Sequence, residues 1–102
     1  MIRHIVALRF RDDLPSGEAD SCFDELAALQ DKIIGALDFR VLKNVSPEEP
    51  VVHGFKDVFW FDFTDATARD AYLVHPDHQK AGARLVTACG GLDGIQVLDV
   101  EL

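Results

Sequence analysis

An α+β fold is predicted for this chain of 102 residues by two observations. Strand-like segments alternate with segments of helical periodicity in the order βαββαβ, and no repeat, linker or low-complexity stretch interrupts them. That order predicts a ferredoxin-like fold, in which a four-stranded antiparallel sheet carries both helices on one face. Because a chain of this length supplies one hydrophobic core, residues 1–102 are predicted to form a single domain.

The first strand and the first helix are predicted from periodicity and capping. Residues 2–10 alternate in polarity as a half-buried strand does. Ser16 is a candidate N-cap for a helix whose apolar stripe recurs at helical spacing as far as Ile33. Gly35 is placed to end that helix.

The middle of the chain is predicted to contain the second and third strands. Residues 39–45 form the second strand, and residues 46–50 form an exposed loop because two prolines interrupt pairing there. Residues 54–63 form the third strand, which is the most apolar segment of the chain.

The second helix is predicted to be broken near its middle. Thr64 or Asp65 caps its start, and Pro76 disfavours helical geometry at the residue before it. The helix then restarts at Asp77 and continues to Cys89, where a pair of glycines ends it. Residues 95–102 form the last strand.

Composition and charge exclude several classes of function. Hydrophobic residues make up 48% and charged residues 27%, which is ordinary globular usage. The net charge of −8 repels phosphate backbones and anionic lipid, so neither nucleic acid nor a membrane surface is an expected partner. Cys22 and Cys89 are expected to be reduced core residues. No signal-peptide pattern is seen at the start of the chain, so a cytoplasmic location is expected.

The third strand predicts a homodimer. Two helices cover only one face of the sheet, and Val58 and Trp60 point to the other face. Ile5 and Ala7 of the first strand join them there. Such an apolar patch is unfavourable on a monomer, and two sheets packed face to face would form a dimeric α/β barrel. The alternative is that Trp60 lies alone on a mostly polar surface.

Polar side chains are predicted to converge in a pocket between the helices and the sheet. His78 falls on the sheet-facing side of the second helix, Tyr72 lies one to two turns before it, and His4 faces inward on the first strand. Asp57 joins them on the core face of the third strand. Buried polar groups need partners or water, so this set indicates a wet pocket. The predicted lining comprises His4, Val6, Leu8, Phe23, Asp57, Phe59, Phe61 and His75.

His78 and Tyr72 are the candidate catalytic residues. A neutral imidazole suits proton abstraction next to a carbonyl, and a phenol suits hydrogen bonding to the developing enolate. The alternative is structural, with His78 bracing the break at Pro76 and Tyr72 packed as an ordinary aromatic. No metal site is expected, because the proline between His75 and His78 points their rings in different directions. No cofactor is expected either.

Several segments resemble the stress-responsive α/β-barrel (Dabb) family, and the resemblance covers essentially the whole chain. They are Ile2-Arg3-His4-Ile5-Val6, Asn44-Val45-Ser46-Pro47, the strand at 54–63, Ala71-Tyr72-Leu73-Val74-His75-Pro76-Asp77-His78, and Val97-Leu98-Asp99. The resemblance implies a dimeric barrel with a pocket in each subunit. In plant polyketide cyclases of the family, the residues that match His78 and Tyr72 act as base and assistant in an aldol-type ring closure. Those enzymes have a pocket histidine where this chain has Asp57, and an acid there is expected to pair with His78 or His4 and hold it protonated.

Three functions are therefore kept as alternatives. The first is a dimeric stress-response barrel whose pocket binds a small apolar or aromatic molecule without converting it. The second is a cofactor-independent cyclase or isomerase that uses His78 as base and Tyr72 as hydrogen-bond donor. The third is a purely structural stress-associated barrel. The expected partners are a second copy of the chain and a small apolar or aromatic ligand.

Overall fold

The computed structural model describes residues 1–102 as four strands and four helices. The strands are β1 (Ile2–Leu8), β2 (Ala36–Lys43), β3 (Asp57–Phe63) and β4 (Ile95–Glu101). The helices are α1 (Glu18–Ala27), α2 (Glu49–Val52), α3 (Ala66–Val74) and α4 (Pro76–Ala88), with short 3₁₀ turns at Ala28–Asp31 and Leu92–Gly94. None of the helices has the length and apolar character that crossing a membrane requires.

The strands form one antiparallel sheet in the order β2-β3-β1-β4. His4 of β1 therefore lies between Phe61 of β3 and Asp99 of β4. Buried side chains of α1, α3 and α4 form one core cluster with the alternate residues of β1 and β3. The ferredoxin-like fold predicted from the sequence is confirmed.

Aromatic side chains of β3 form the centre of the core. Phe61 and Phe63 are fully buried, and Phe59 is nearly so. The Phe61 ring lies 4.7 Å from that of Phe39 and 4.9 Å from that of Tyr72, measured between centroids. The period-two alternation of β3 thus places its phenylalanines beneath the helices.

The first helix differs from the sequence prediction at both ends. Gly17, not Ser16, is the N-cap; it has a left-handed φ of 85°, and no side chain caps the helix. The α-helix ends at Ala27 and tightens into the 3₁₀ turn, as helix C-termini commonly do. Gly35 does not end the helix; with φ of 92° it turns the chain into β2.

The predicted loop and strand ends in the middle of the chain also need correction. β2 runs over Ala36–Lys43 rather than 39–45, and β3 begins at Asp57 rather than at 54. The segment predicted as an exposed loop enters α2, where Pro50 occupies the first turn. Proline suits that position because the first helical N–H groups need no partner within the helix.

The predicted break in the second helix is confirmed. Asp65 caps α3 by accepting a hydrogen bond from the Ala68 N–H at 2.9 Å. His75 has an extended conformation, with ψ of 134°, because the residue before proline avoids helical geometry. The chain restarts as α4 at Pro76, one residue before the predicted Asp77. This break sets the relative orientation of Tyr72 and the residues of α4.

The sheet face opposite the helices carries the four residues predicted to form the dimer interface. Ile5 lies opposite Trp60 and Ala7 opposite Val58, and all four are partly exposed. Leu98 of β4 lies beside Ile5 on the same face, with 56% of its surface exposed. We call this set of five apolar residues the outer face of the sheet.

Candidate functional site

A cavity of about 250 Å³ lies between the sheet and the helices α3 and α4. Thirteen residues line it, and ten of them are hydrophobic. Its titratable side chains are His4, Tyr72 and His78, the three residues that the sequence predicted to converge. Of the remaining predicted lining residues, Val6 and Phe59 line this cavity.

Tyr72 lies at the centre of the polar group. Its side chain is fully buried, and its ring centroid lies 4.3 Å from that of His78 and 5.8 Å from that of His4. Its hydroxyl has no hydrogen-bond partner within the protein. Burial raises the pKa of Tyr72, so the phenol stays protonated at neutral pH and is available as a donor.

His78 is held by the break between α3 and α4. Its Nδ1 lies 3.1 Å from the carbonyl oxygen of Leu73, in the last turn of α3, where carbonyls lack helical partners. A carbonyl only accepts, so Nδ1 carries the proton and donates, which leaves Nε2 with its lone pair. Burial lowers the pKa of His78, and the hydrogen bond to Leu73 offsets this only in part. His78 is therefore a neutral imidazole that can accept a proton.

His4 is bonded to a carboxylate that the sequence analysis did not predict. Its Nδ1 lies 2.6 Å from Oδ1 of Asp99, the residue opposite it on β4. Oδ2 of Asp99 accepts a hydrogen bond from Arg69 at 2.8 Å. Burial alone would raise the pKa of Asp99, but the hydrogen bonds from Arg69 and His4 lower it, so the group is ionised at neutral pH.

Asp57 does not belong to the cavity, which corrects the sequence prediction. Its carboxylate accepts a hydrogen bond from Lys43 on β2, not from His4 or His78. Asp57 lies opposite Leu8, whereas His4 lies opposite Phe61, four residues further along β3. Four residues of strand span about 13 Å, which separates Asp57 from His4 despite their shared face.

Four other predicted lining residues lie outside the cavity. Leu8, Phe23 and Phe61 are buried in the core, where helices and sheet pack directly against one another. His75 faces away from the cavity, and its Nδ1 accepts a hydrogen bond from the Asp77 N–H at 3.0 Å, so it caps α4. The extended conformation before Pro76 accounts for this orientation.

Much of the apolar wall of the cavity was not predicted from the sequence. It is formed by residues of α3, α4, the second 3₁₀ turn and β4, which include Leu73, Leu85, Val86, Leu92, Ile95 and Val97. Val97 and Asp99 are two residues apart on β4 and therefore share its core face. This period-two pattern is the signal that could have identified both residues. No three side chains of the His, Cys, Asp or Glu type are grouped as metal ligands.

Acidification is expected to destabilise the protein through His78. Since burial holds the folded-state pKa of His78 below its usual value, the unfolded chain binds more protons as pH falls through the ordinary histidine pKa. The free energy of unfolding should therefore decrease between pH 7.5 and 5.5, and the decrease should be smaller in His78→Asn. Urea unfolding at fixed protein concentration measures the free energy of unfolding of the wild type and of the variant at each pH. Equal decreases in the two proteins would show that His78 does not cause the effect.

Solved structures from three organisms share this fold. A dimeric ferredoxin-like protein of unknown function from Jannaschia sp. CCS1 is 35% identical, with coverage of 99% of this chain and 98% of that one and a TM-score of 0.85. A protein from Arabidopsis thaliana is 24% identical over 100% and 95% of the two chains, with a TM-score of 0.85. Hydroxynitrile lyase from Passiflora edulis is 19% identical over 99% and 92%, with a TM-score of 0.82. The last two likenesses establish the fold alone.

Family membership follows from the match of the sequence to a family model. No curated protein matches the sequence significantly. The model of the stress responsive A/B barrel domain, Dabb, matches residues 2–102, which is nearly the whole chain. Together with the ferredoxin-like sheet, this match shows that the chain belongs to the Dabb family.

Proposed function

We propose that this protein is a homodimeric barrel whose cavity binds a small apolar or aromatic molecule. The observation that carries the proposal is the unpartnered hydroxyl of Tyr72 in an otherwise hydrophobic cavity. A buried hydroxyl without a partner costs free energy, and a bound molecule with a polar atom would recover it. We place the protein in the cytoplasm, where the buried thiols of Cys22 and Cys89 would stay reduced.

The outer face of the sheet supports the homodimer. Nε1 of Trp60 is buried without a hydrogen-bond partner, and the apolar residues around it are partly exposed in one protomer. Burial of these residues against the same face of a second copy would give a two-fold interface. The relative from Jannaschia sp. CCS1, at 35% identity, is described as dimeric, which supports the same assembly here.

Ligand binding is expected to raise the midpoint of thermal unfolding. A molecule that binds only the folded state raises the free energy of unfolding by about 2.7 kcal/mol when its concentration is one hundred times its dissociation constant. We would measure the midpoints of the wild type, His78→Ala and Tyr72→Phe with phenolic compounds, fatty acids and diketones. One chemical class should raise the wild-type midpoint, and the two variants should lose that response.

The variants without ligand provide the control. Tyr72→Phe removes only an unpartnered hydroxyl, so its own midpoint should not fall. If no compound shifts the wild type, and His78→Ala alone lowers the midpoint by several degrees, His78 is a structural brace. The purely structural function would then replace the present proposal.

A second candidate function is a cofactor-independent cyclase or isomerase. The neutral His78 beside the protonated Tyr72 favours it, since a base and a hydrogen-bond donor lie next to each other. In such a reaction Nε2 of His78 would remove a proton from the carbon next to a carbonyl. The Tyr72 hydroxyl would donate a hydrogen bond to the enolate oxygen. Deuterium exchange of a diketone in heavy water should be faster with the wild type than with His78→Gln; equal rates would reject this function.

A further inference from the structure

Three polar atoms of the cavity residues have no partner within the protein. Each histidine ring makes its hydrogen bond through Nδ1, His4 to Asp99 and His78 to Leu73, so both Nε2 atoms are unpartnered. The third atom is the hydroxyl oxygen of Tyr72, whose side chain is fully buried. These three atoms define the polarity that a bound molecule must match.

The hydrogen positions on the rings follow from their partners. A carboxylate and a carbonyl only accept, so Nδ1 of His4 and Nδ1 of His78 both carry protons. In the neutral ring of His78, Nε2 is therefore an acceptor. The hydroxyl of Tyr72 is both donor and acceptor. The cavity thus offers the Nε2 acceptor of His78 beside the Tyr72 hydroxyl, which can donate.

This arrangement disfavours anions and favours hydroxyl groups. No lysine or arginine lines the cavity, and an anion would face the lone pair of Nε2 of His78 there. A ketone or an ether could accept from Tyr72 but would leave Nε2 of His78 unpaired. A hydroxyl group can donate to that nitrogen and accept from Tyr72 at the same time. The ring centroids of Tyr72 and His78 lie 4.3 Å apart, so the two side chains are direct neighbours in the wall of the cavity.

The volume and walls of the cavity limit the rest of the molecule. A cavity of about 150 Å³ lined by aliphatic and aromatic side chains holds benzene in another protein. The present cavity, at about 250 Å³, has room for one ring with a short substituent. The Phe59 ring and the aliphatic side chains of Leu26, Leu85 and Ile95 provide apolar contacts for such a ring.

We propose that the cavity selects an uncharged phenol of one ring, whose hydroxyl donates to Nε2 of His78 and accepts from the hydroxyl of Tyr72. The proposal rests on the small-molecule function proposed above and names its ligand class. It distinguishes phenols from aromatic ethers and carboxylates of the same size.

Three probes of similar size, two of which are isomers, test this selection without any variant. The phenol is para-ethylphenol, and the ether para-methylanisole has the same composition and nearly the same shape. The anion is para-methylbenzoate. Isothermal titration at pH 7.5 should give a dissociation constant for the phenol at least about tenfold lower than for either other probe, because only the phenol can donate a hydrogen bond to Nε2 of His78.

Variants test which side chains cause the preference. His78→Asn should reduce the preference for phenol over ether to within about twofold, because it removes the acceptor that the ether cannot use. Tyr72→Phe should weaken the binding of both probes and keep most of the preference, because both accept a hydrogen bond from the Tyr72 hydroxyl. The matched control is His75→Asn, because His75 lies three residues from His78 but caps α4 outside the cavity. Asparagine is also a good N-cap, so this variant should keep the wild-type preference.

The outcomes separate this inference from the proposed function. Equal binding of the phenol and the ether by the wild type would overturn the hydroxyl selection but leave the small-molecule function standing. Tighter binding of para-methylbenzoate would also overturn it, and would mean that a cavity histidine becomes protonated on binding. If the wild type binds none of the three probes, both the selection and the proposed aromatic-binding function fail.

Discussion

Phe61→Ala is expected to lower the free energy of unfolding by about 3–5 kcal/mol, the cost typical of removing a buried phenylalanine. The Phe61 side chain is fully buried, and its ring contacts those of Phe39, Phe63 and Tyr72. All three neighbours would border the resulting void, and they are held by β2, β3 and α3, which limits collapse into it. The free energy of unfolding of a domain of this size is only about 5–15 kcal/mol, so the variant would lose a large share of its stability.

Phe39→Ala is the matched control for this prediction. It makes the same chemical change on the edge strand β2, where Phe39 is only partly buried. Urea unfolding at one fixed protein concentration would compare the two, since dimer dissociation makes apparent stability depend on concentration. Phe61→Leu, with a smaller loss, serves if the alanine variant does not fold. Equal losses at positions 61 and 39 would contradict the central role of Phe61.

Trp60→Glu is expected to convert the proposed homodimer into a monomer. Trp60 lies on the outer face of the sheet beside Ile5, and its Nε1 has no partner. Two symmetry-related carboxylates would become buried beside Arg3, which stacks on the Trp60 ring and already pairs with Asp62. Truncation or mispairing of buried interface charges costs about 2–5 kcal/mol. Sedimentation velocity at micromolar concentration should show the mass of one chain in place of two.

Two further variants control for charge and for volume at position 60. Ile34→Glu adds the same charge at a side chain that is 97% exposed and precedes β2, outside the five residues of the outer face, so the dimer should persist. Trp60→Phe keeps an aromatic side chain on the outer face and should also remain dimeric. Circular dichroism checks that Trp60→Glu is folded. A wild type that sediments as a single chain, or a dimeric Trp60→Glu, would rule out this interface.

The candidate site was predictable where periodicity alone decides the orientation of a side chain. Alternation along β1 places His4 on the core face of the sheet. Helical spacing places Tyr72 and His78 on the sides of α3 and α4 that face the sheet. Asp57 obeys the same alternation and still lies outside the cavity. Which residue of β3 lies opposite His4 depends on the register between β1 and β3. The alternation of polar and apolar residues does not specify that register.

The hydrogen bonds of both histidines required the tertiary structure. His4 bonds to Asp99 because β4 lies beside β1, a neighbour relation between two strands nearly one hundred residues apart in the chain. His78 bonds to Leu73 because the break at His75 lets α4 return toward the end of α3. These two bonds fix the tautomers on which the proposed chemistry depends.

The sequence by itself determined the order of the strands and of the helices that cover the sheet, the ferredoxin-like class, the break before Pro76 and membership of the Dabb family. Each of these depends on local conformation, period or motif, which neighbouring residues encode. The tertiary structure decided the true ends of the elements, the shape of the cavity and which polar groups meet within it. Those features depend on strand order and on packing between distant segments, so the free energy of the whole fold sets them rather than any local pattern.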